Sequence, residues 1–412
     1  MLTIAYLANR YPSPVEPYVG AEIEELRRRG MRVVPGSVWR AANPDPDAIY
    51  LMPIGLVLGI RALWLCVWKS SELADLLWRV LFEGREEVLQ RVKALVHTWL
   101  GACYALRLRH LGVQHIHVHH GYFASWIALV AGRLTGASVS MTLHGSDLLQ
   151  SATFMDAKLA NCVRCFPISE FNRQHILASY SEVPPSRVAV ARLGVAGAEL
   201  PPVPPSSGAR LRILCVGRLH TVKDHPFLLR ACARLQESGV EFECRLAGSG
   251  AERPKLERQI ENSGLQGSVK LLGHVPRQLL DAHYEWCDMV VLTSRSEGIP
   301  VVLMEAMVKG KIVLAPAITG IPELVRDGET GFLYVPGSLR NFLERIELVR
   351  CALAAECLNA PTPDDNNPLP RLEWIRHAAR IHVRLNFDQQ TNLNHFAGLL
   401  ESAAISALKR AA

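Results

Sequence analysis

Met289-Val290-Val291-Leu292-Thr293, then Ser294-Arg295-Ser296-Glu297-Gly298-Ile299, then Pro300-Val301-Val302-Leu303-Met304-Glu305-Ala306-Met307-Val308-Lys309-Gly310 run consecutively, and each piece has its own physical character. The first is a short apolar run and reads as a strand. The second is polar and carries a glycine, as a loop does. The third opens on Pro300, suited to the first position of a helix, and closes at Gly310, suited to the residue beyond its end. A strand feeding a helix through a short loop is half of a βαβ unit. The helix start offers free N–H groups and a positive dipole end to an anion. Glu297 lies in the loop, and Glu305 sits about one and a half turns inside the helix.

The same alternation runs outward in both directions. Strands are predicted at Thr3–Ala8, Met31–Val34, His115–Val118, Val139–Leu143 and Cys165–Ile168. Helices are predicted at Val19–Arg29, ending at Gly30, and at Ser125–Thr135, stopped by Gly136; a third is capped by Ser169. After the break Pro201-Pro202-Val203-Pro204-Pro205-Ser206-Ser207-Gly208, strands recur at Arg212–Val216, Glu243–Ala247, Val269–Leu272 and Ile312–Ala315, with a helix from Asp224 to Ser238. Alternating strands and helices imply parallel sheets with right-handed crossovers. The fold expected is α/β: two Rossmann-like, doubly wound parallel-sheet domains with an interdomain cleft. Residues 1–200 form the first, 201–209 a linker, and 210–384 the second; 385–412 form a C-terminal helix packing back toward the first. Residues 361–370 read as a surface loop.

The totals suit that division. A chain of 412 residues divides naturally into two domains of roughly 200 residues. Hydrophobic residues make up 49% and charged residues 20%, as in a globular protein. The net charge of +6 is compatible with phosphate-bearing ligands or an anionic membrane surface, and equally with a basic surface that has no partner. No nucleic-acid-binding signature is present, so nucleic acid is not expected as a partner. The ten cysteines are scattered, and several, such as Cys66, Cys103, Cys215 and Cys244, lie inside apolar runs, as buried free thiols do in a reducing compartment. Met1–Ala8 reads as a strand and not as a signal peptide, which places the chain in the cytoplasm. The apolar stretch 49–68, interrupted by Arg61, is too short to span a bilayer. It reads either as a core or interface segment or, through Trp64, Trp68 and Lys69, as a peripheral contact with the inner face of the cytoplasmic membrane.

Loops after strands are where chemistry is expected, because ligands of such sheets bind at the carboxyl ends of the strands. Glu297 and Glu305 flank an anion site, and ionised carboxylates accept hydrogen bonds from sugar hydroxyls; the bland alternative is two solvated charges. Gly217, Arg218 and Lys223 follow the Arg212–Val216 strand, where Arg218 can fork onto phosphate oxygens and Lys223 can add a point charge. His144 ends the Val139–Leu143 strand beside Gly145. The loop Asn9–Gly20 holds Glu16 and Gly20, candidates for the acceptor side. Asp45-Pro46-Asp47 follows no strand and is set aside as a metal motif, and Gly248-Ser249-Gly250 reads as a turn.

The ordered set Val216-Gly217-Arg218, Lys223, Ser294, Glu297-Gly298, Glu305-Ala306-Met307, Gly320-Ile321-Pro322-Glu323 and Asp327-Gly328-Glu329-Thr330-Gly331 resembles glycosyltransferase family 4, a group of retaining enzymes with the GT-B fold. Tyr11-Pro12, Glu16, Glu22-Ile23, His117-Val118-His119, Thr142, His144-Gly145, Asp147 and Ile168-Ser169-Glu170 resemble the branch that builds bacterial exopolysaccharides, colanic-acid-type transferases among them. The resemblance implies a nucleotide-sugar donor, UDP- or GDP-linked, and a saccharide or lipid-linked glycan acceptor. Arg218 and Lys223 would neutralise the donor diphosphate, Glu305 would hold the ribose and Glu297 the sugar. Gly217, Gly298, Ile299 and Pro300 would shape the donor site, and His144 would sit near the transferred sugar. No metal and no other cofactor is implied. A nucleotide-sugar 2-epimerase and a non-catalytic nucleotide-sugar-binding subunit remain as alternatives on the same fold.

Overall fold

The computed structural model describes residues 1–13, 16–83, 86–197, 210–357 and 369–411. The 201–209 linker and all but the last two residues of the 361–370 loop lie outside them. The chain divides into two compact units, Met1–Leu193 with Gln390–Ala412, and Gly194–Gln389.

The first unit holds a six-stranded parallel sheet: β1 (Thr3–Tyr11), β2 (Arg32–Arg40), β3 (Ile49–Tyr50), β4 (His115–His119), β5 (Ser138–Leu143) and β6 (Arg164–Pro167), in the order β3-β2-β1-β4-β5-β6. Ala5, Leu7, Ile116, Val118 and Met141 face one core, and Ile4, Tyr6 and Ala8 face another. Both faces are buried, which is why these strands read as apolar runs instead of alternating ones. The Gln389–Ala411 helix contributes Phe396, Ala397 and Leu400 to the core beside Ile4 and Tyr6. Gly136 ends the Phe123–Thr135 helix at φ +77°, and Ser169 Oγ accepts the Asn172 N–H at 3.1 Å at the start of the next one.

Two expectations need correction here. The strand predicted to stop at Val34 continues through Pro35-Gly36 to Arg40; a Cβ at Gly36 would come within 2.4 Å of the Tyr104 hydroxyl, so a close approach explains that glycine, not a chain break. The Asn9–Gly20 loop is also shorter than expected, because β1 runs to Tyr11 and a helix begins at Pro17 (Pro17–Arg28). Gly20 therefore lies in the first turn of that helix, with open space around it.

The 49–68 segment becomes β3 followed by the Leu56–Trp68 helix, and one side of it belongs to the core: Leu51 and Ala62 are buried there, and Ile54, Leu58 and Leu65 pack against it. Only Gly59 and Ala62 of that helix are buried. Leu56, Val57, Ile60, Leu63, Trp64, Val67 and Trp68 are exposed. No helix among the described residues is long and apolar enough to cross a membrane.

The second unit repeats the plan with β7 (Leu211–Val216), β8 (Phe242–Ala247), β9 (Val269–Gly273), β10 (Met289–Val291), β11 (Ile312–Pro316) and β12 (Phe332–Tyr334), in the order β12-β11-β10-β7-β8-β9. Both sheets reverse their direction of winding at one place, between β1 and β4 and between β7 and β10. Loops leaving such a pair diverge to opposite faces and open a crevice at the strands' carboxyl ends.

Close packing gives a direct test of the first unit. A Cβ at Gly101 would sit 2.6 Å from Val130, between the Val88–Leu108 and Phe123–Thr135 helices. Gly101→Val is expected to cost about 1–3 kcal/mol, whereas Gly20→Ala is expected to stabilise by about 0.5–1 kcal/mol; urea denaturation midpoints check both.

Candidate functional site

In the second unit the loops after β7 and β10 are stitched together at the reversal point. Arg295 N–H donates to Val222 O at 2.8 Å, and Thr293 Oγ1 donates to Lys223 O at 2.9 Å. Lys223 Nζ meets Glu297 Oε1 at 2.5 Å, and Ser294 Oγ donates to the same oxygen at 2.5 Å. The stem of Lys223 passes over Gly217, whose absent Cβ would lie 3.7 Å from it. Lys223, Glu297, Gly217 and Ser294 thus share one spot, with Arg218 exposed beside it and its guanidinium without a hydrogen-bond or ion-pair partner among the described residues. Lys223 is consequently a paired cation and not the bare point charge that its loop position suggested.

Gly298, Ile299 and Pro300 continue from that spot. Thr319 Oγ1 donates to Glu297 O at 2.6 Å, and a Cβ at Gly320 would come 2.4 Å from Gly298 O. Ile299 is buried. Pro300 precedes the Val301–Val308 helix instead of opening it, a shift of one residue. Glu305 points elsewhere for its partners: Tyr284 OH donates to Oε2 at 2.9 Å, and Arg277 lies 2.9 Å from Oε1. Burial and the Glu305 charge hold the Tyr284 phenol well above its usual range, so it stays a donor.

Sequence reading passed over Gly248 and Gly250. A Cβ at the first would fall 1.8 Å from Gly217 O, and at the second 2.2 Å from Leu219 O. These glycines let the turn after β8 press against the Gly217–Leu219 backbone. Their spacing after a strand was the available signal, and nothing local showed what they touched.

At the β1/β4 reversal in the first unit, side chains from four segments converge. His120 Nε2 lies 2.8 Å from Glu16 Oε1, and His120 Nδ1 lies 3.7 Å from Asp147 Oδ2. Burial opposes a charge on His120, but Asp147 and Glu16 outweigh it and raise its pKa to about 9. Burial likewise works against an ionised Asp147. His120 and the N–H groups of Gly121 and His144, at 2.8 and 3.0 Å, still hold its carboxyl below the usual range. The His144 ring lies tilted 4.2 Å from the His120 ring and stacks 5.0 Å from Tyr18. Burial first, then His120 and His119, push its pKa well below 6.5. Two touching imidazoles are thus held in opposite states, His120 charged and His144 neutral. Lys158 supports the loop beneath them, its Nζ donating to Gly121 O at 2.7 Å and Thr153 O at 2.8 Å.

Glu22, His117 and His119 form a compact group of metal-ligand type, their donor atoms within 4.8 Å of one another. Both nitrogens of His117 are already engaged, Nδ1 with Ser140 Oγ at 2.8 Å and Nε2 with Thr142 Oγ1 at 3.2 Å. His119 Nε2 stands 2.8 Å from Glu22 Oε2. That is direct hydrogen-bond contact, closer than about 3.3 Å expected for two ligands each about 2 Å from one tetrahedral ion. The residues fit a hydrogen-bonded cluster better than a metal centre.

Residues 199–350 match the family described as Glycosyl transferases group 1. The chain is 34% identical over 226 residues, 53% of its length and 52% of the relative's, to WcaL of Escherichia coli (strain K12), named as a colanic acid biosynthesis glycosyltransferase. It is 32% identical over 200 residues, 47% of its length and 45% of the relative's, to the amylovoran biosynthesis glycosyltransferase AmsK of Erwinia amylovora. The chain spans about half the length of these curated relatives. Among solved structures, sucrose-phosphate synthase from Thermosynechococcus elongatus superposes with a TM-score of 0.74 at 16% identity, covering 98% of this chain and 100% of that one. Anabaena Alr3699/HepE in complex with UDP-glucose superposes with a TM-score of 0.69 at 19% identity, with the same coverage. The fold is therefore the two-unit α/β arrangement of GT-B glycosyltransferases.

The histidines give stability a two-sided pH dependence. Burial lowers His97 to about 4 and His115 to about 3 from 6.5. Below 6.5 the unfolded chain binds the protons these rings refuse, so stability falls as pH drops toward 4 and 3. His120 has the opposite sign: its contribution is complete below 6.5 and is lost as pH rises through about 9. Urea midpoints measured from pH 4 to 10 are expected to decline on both sides, and His120→Gln to remove the His120 part of the alkaline decline while leaving the acid side intact.

Proposed function

We propose that the chain is a retaining glycosyltransferase that moves a sugar from a nucleotide-diphosphate donor, UDP- or GDP-linked, to a saccharide or lipid-linked acceptor in exopolysaccharide or cell-envelope glycan synthesis. One observation carries the reading: the Lys223–Glu297 pair sits at the winding reversal of a sheet whose sequence matches Glycosyl transferases group 1.

In this reading the donor diphosphate is met by Arg218 and by Lys223, which exchanges its contact with Glu297 for phosphate oxygens. The start of the Val301–Val308 helix adds its dipole. Pre-placed cations matter because charge grows on the diphosphate as the sugar leaves, and fixed groups stabilise that charge without reorganising. Glu297, released from Lys223, accepts from hydroxyls of the sugar. Glu305, held by Tyr284 and Arg277, accepts from the ribose hydroxyls. His144 contacts a sugar hydroxyl. The solved relative bound to UDP-glucose supports a nucleotide sugar of that kind. Two basic side chains do the work a divalent ion does elsewhere, so activity is expected to survive chelation by EDTA.

Exposed apolar surface supports a lipid-linked acceptor at the inner membrane face. Trp64 and Trp68 stack at 5.4 Å on the Leu56–Trp68 helix, and Lys69 lies 5.5 Å from the Trp68 ring. The adjoining Val88–Leu108 helix, joined through Trp99 Nε1 to Gly59 O at 3.0 Å, exposes Val88, Leu89, Val92 and Val96. Aromatic and apolar side chains edged by a cation suit an interfacial helix.

Glu297→Ala and Lys223→Ala are each expected to lower turnover at least ~100-fold; near-normal rates at saturating donor in both would remove the assignment. A donor held at a hundred times its Kd should stabilise the protein by about 2.7 kcal/mol, so thermal-shift screening of UDP- and GDP-sugars identifies it. Release of free nucleotide separates transfer from epimerisation. Co-sedimentation with anionic vesicles is expected to drop at least ~10-fold in a Trp64→Ser/Trp68→Ser variant, since each buried indole is worth roughly 1.5–3 kcal/mol; unchanged binding would remove the membrane part alone.

A further inference from the structure

We infer that Glu22, Tyr6 and His119 form a buried hydrogen-bonded chain that fixes the tautomer of His144, keeping its proton on Nε2 and leaving Nδ1 as a bare acceptor for a ligand hydroxyl. The three are positioning residues, and their link to catalysis rests on the function proposed above.

Glu22 Oε2 accepts from the Tyr6 hydroxyl in a short contact, and His119 Nε2 lies 2.8 Å from both Glu22 Oε2 and Tyr6 OH. A carboxylate only accepts, and Tyr6 spends its single proton on it. Both oxygens that face His119 Nε2 are therefore acceptors, so that nitrogen carries a proton. His119 is fully buried, with the His117 ring at 5.3 Å and the charged His120 ring at 6.4 Å. A neutral ring with its proton on Nε2 has a lone pair on Nδ1. That lone pair lies 2.9 Å from His144 Nε2, which must donate. His144 Nδ1 then keeps its own lone pair, and it makes no hydrogen bond among the described residues. On a partly buried ring beside Tyr18, it suits a hydroxyl donor such as a sugar and cannot itself give up a proton.

The order of the chain is what makes this specific. A carboxylate behind one imidazole fixes its tautomer in the way a carboxylate fixes a metal-bound histidine. Here a second imidazole passes the choice on, so Glu22 reaches His144 without touching it.

Nitrogen-15 NMR of the full chain labelled at histidine tests this directly, with His144 assigned by the signals lost in His144→Gln. Between pH 6 and 8 the wild type should show His144 protonated on Nε2 and bare on Nδ1. A protonated Nδ1, which an imidazolium at His119 would produce, overturns the inference. Glu22→Ala should let His144 populate both tautomers and lower kcat about 10- to 100-fold with the donor KM little changed; Glu22→Gln keeps an acceptor oxygen and should restore both. An unchanged His144 spectrum in folded Glu22→Ala also overturns it, as would joint shifts of His117 and His119 on adding equimolar zinc. The wild-type spectrum decides even if Glu22→Ala does not fold. Absence of any transfer activity in the wild type would count against the proposed function while leaving the tautomer result standing.

Discussion

Parallel strands cannot be joined by a tight turn, and this constraint shapes both units. Each strand must return to the start of the next through a crossover, which puts every strand's carboxyl end on the same edge of the sheet. Right-handed crossovers then force a choice of face, and the choice reverses once, between β1 and β4 and between β7 and β10. The loops at those places bring the site residues of each unit together. Glu16 and His144 in one unit, and Lys223 and Glu297 in the other, sit just beyond that edge.

The two edges solve different problems with the same geometry. In the second unit, Lys223 and Glu297 neutralise each other at 2.5 Å, with Ser294 fixing the carboxylate. Pairing matters in a partly buried loop, because removing one partner would leave the other an uncompensated charge. In the first unit, Asp147 and Glu16 keep His120 charged against its burial, while burial and then the His120 cation keep His144 neutral. Opposite protonation states within 4.2 Å give one donor and one acceptor in a fixed arrangement.

How much of this was legible depends on the range of the signal. Strands of five or six residues such as β7, β8 and β5 stood out as apolar runs between turn residues. β3 and β12, of two and three residues, are too short to carry a pattern. Ser169 and Gly136 marked helix ends because a cap acts on its own neighbours. The reason for Gly36 is Tyr104, far along the chain. Arg277 and Tyr284 gave no hint that they hold Glu305, and Gly248 gave none that it presses on Gly217. The His115-Ile116-His117-Val118-His119 run shows three histidines on one face of β4, but their proton partners Tyr6, Glu22, Ser140 and Thr142 come from elsewhere.

By itself the sequence determined the alternation of strand and helix, the parallel sheets that follow from it, and the loops in which chemistry could sit, because periodicity, capping and turn chemistry act over a few residues. Only the tertiary structure decided that Lys223 pairs with Glu297, that the Leu56–Trp68 helix shows its apolar face to solvent, and that Glu22 reaches His144 through His119. Those outcomes depend on which surfaces meet and how deeply they are buried. Charge, proton position and exposure are set by neighbours in space, and no short stretch of chain contains them.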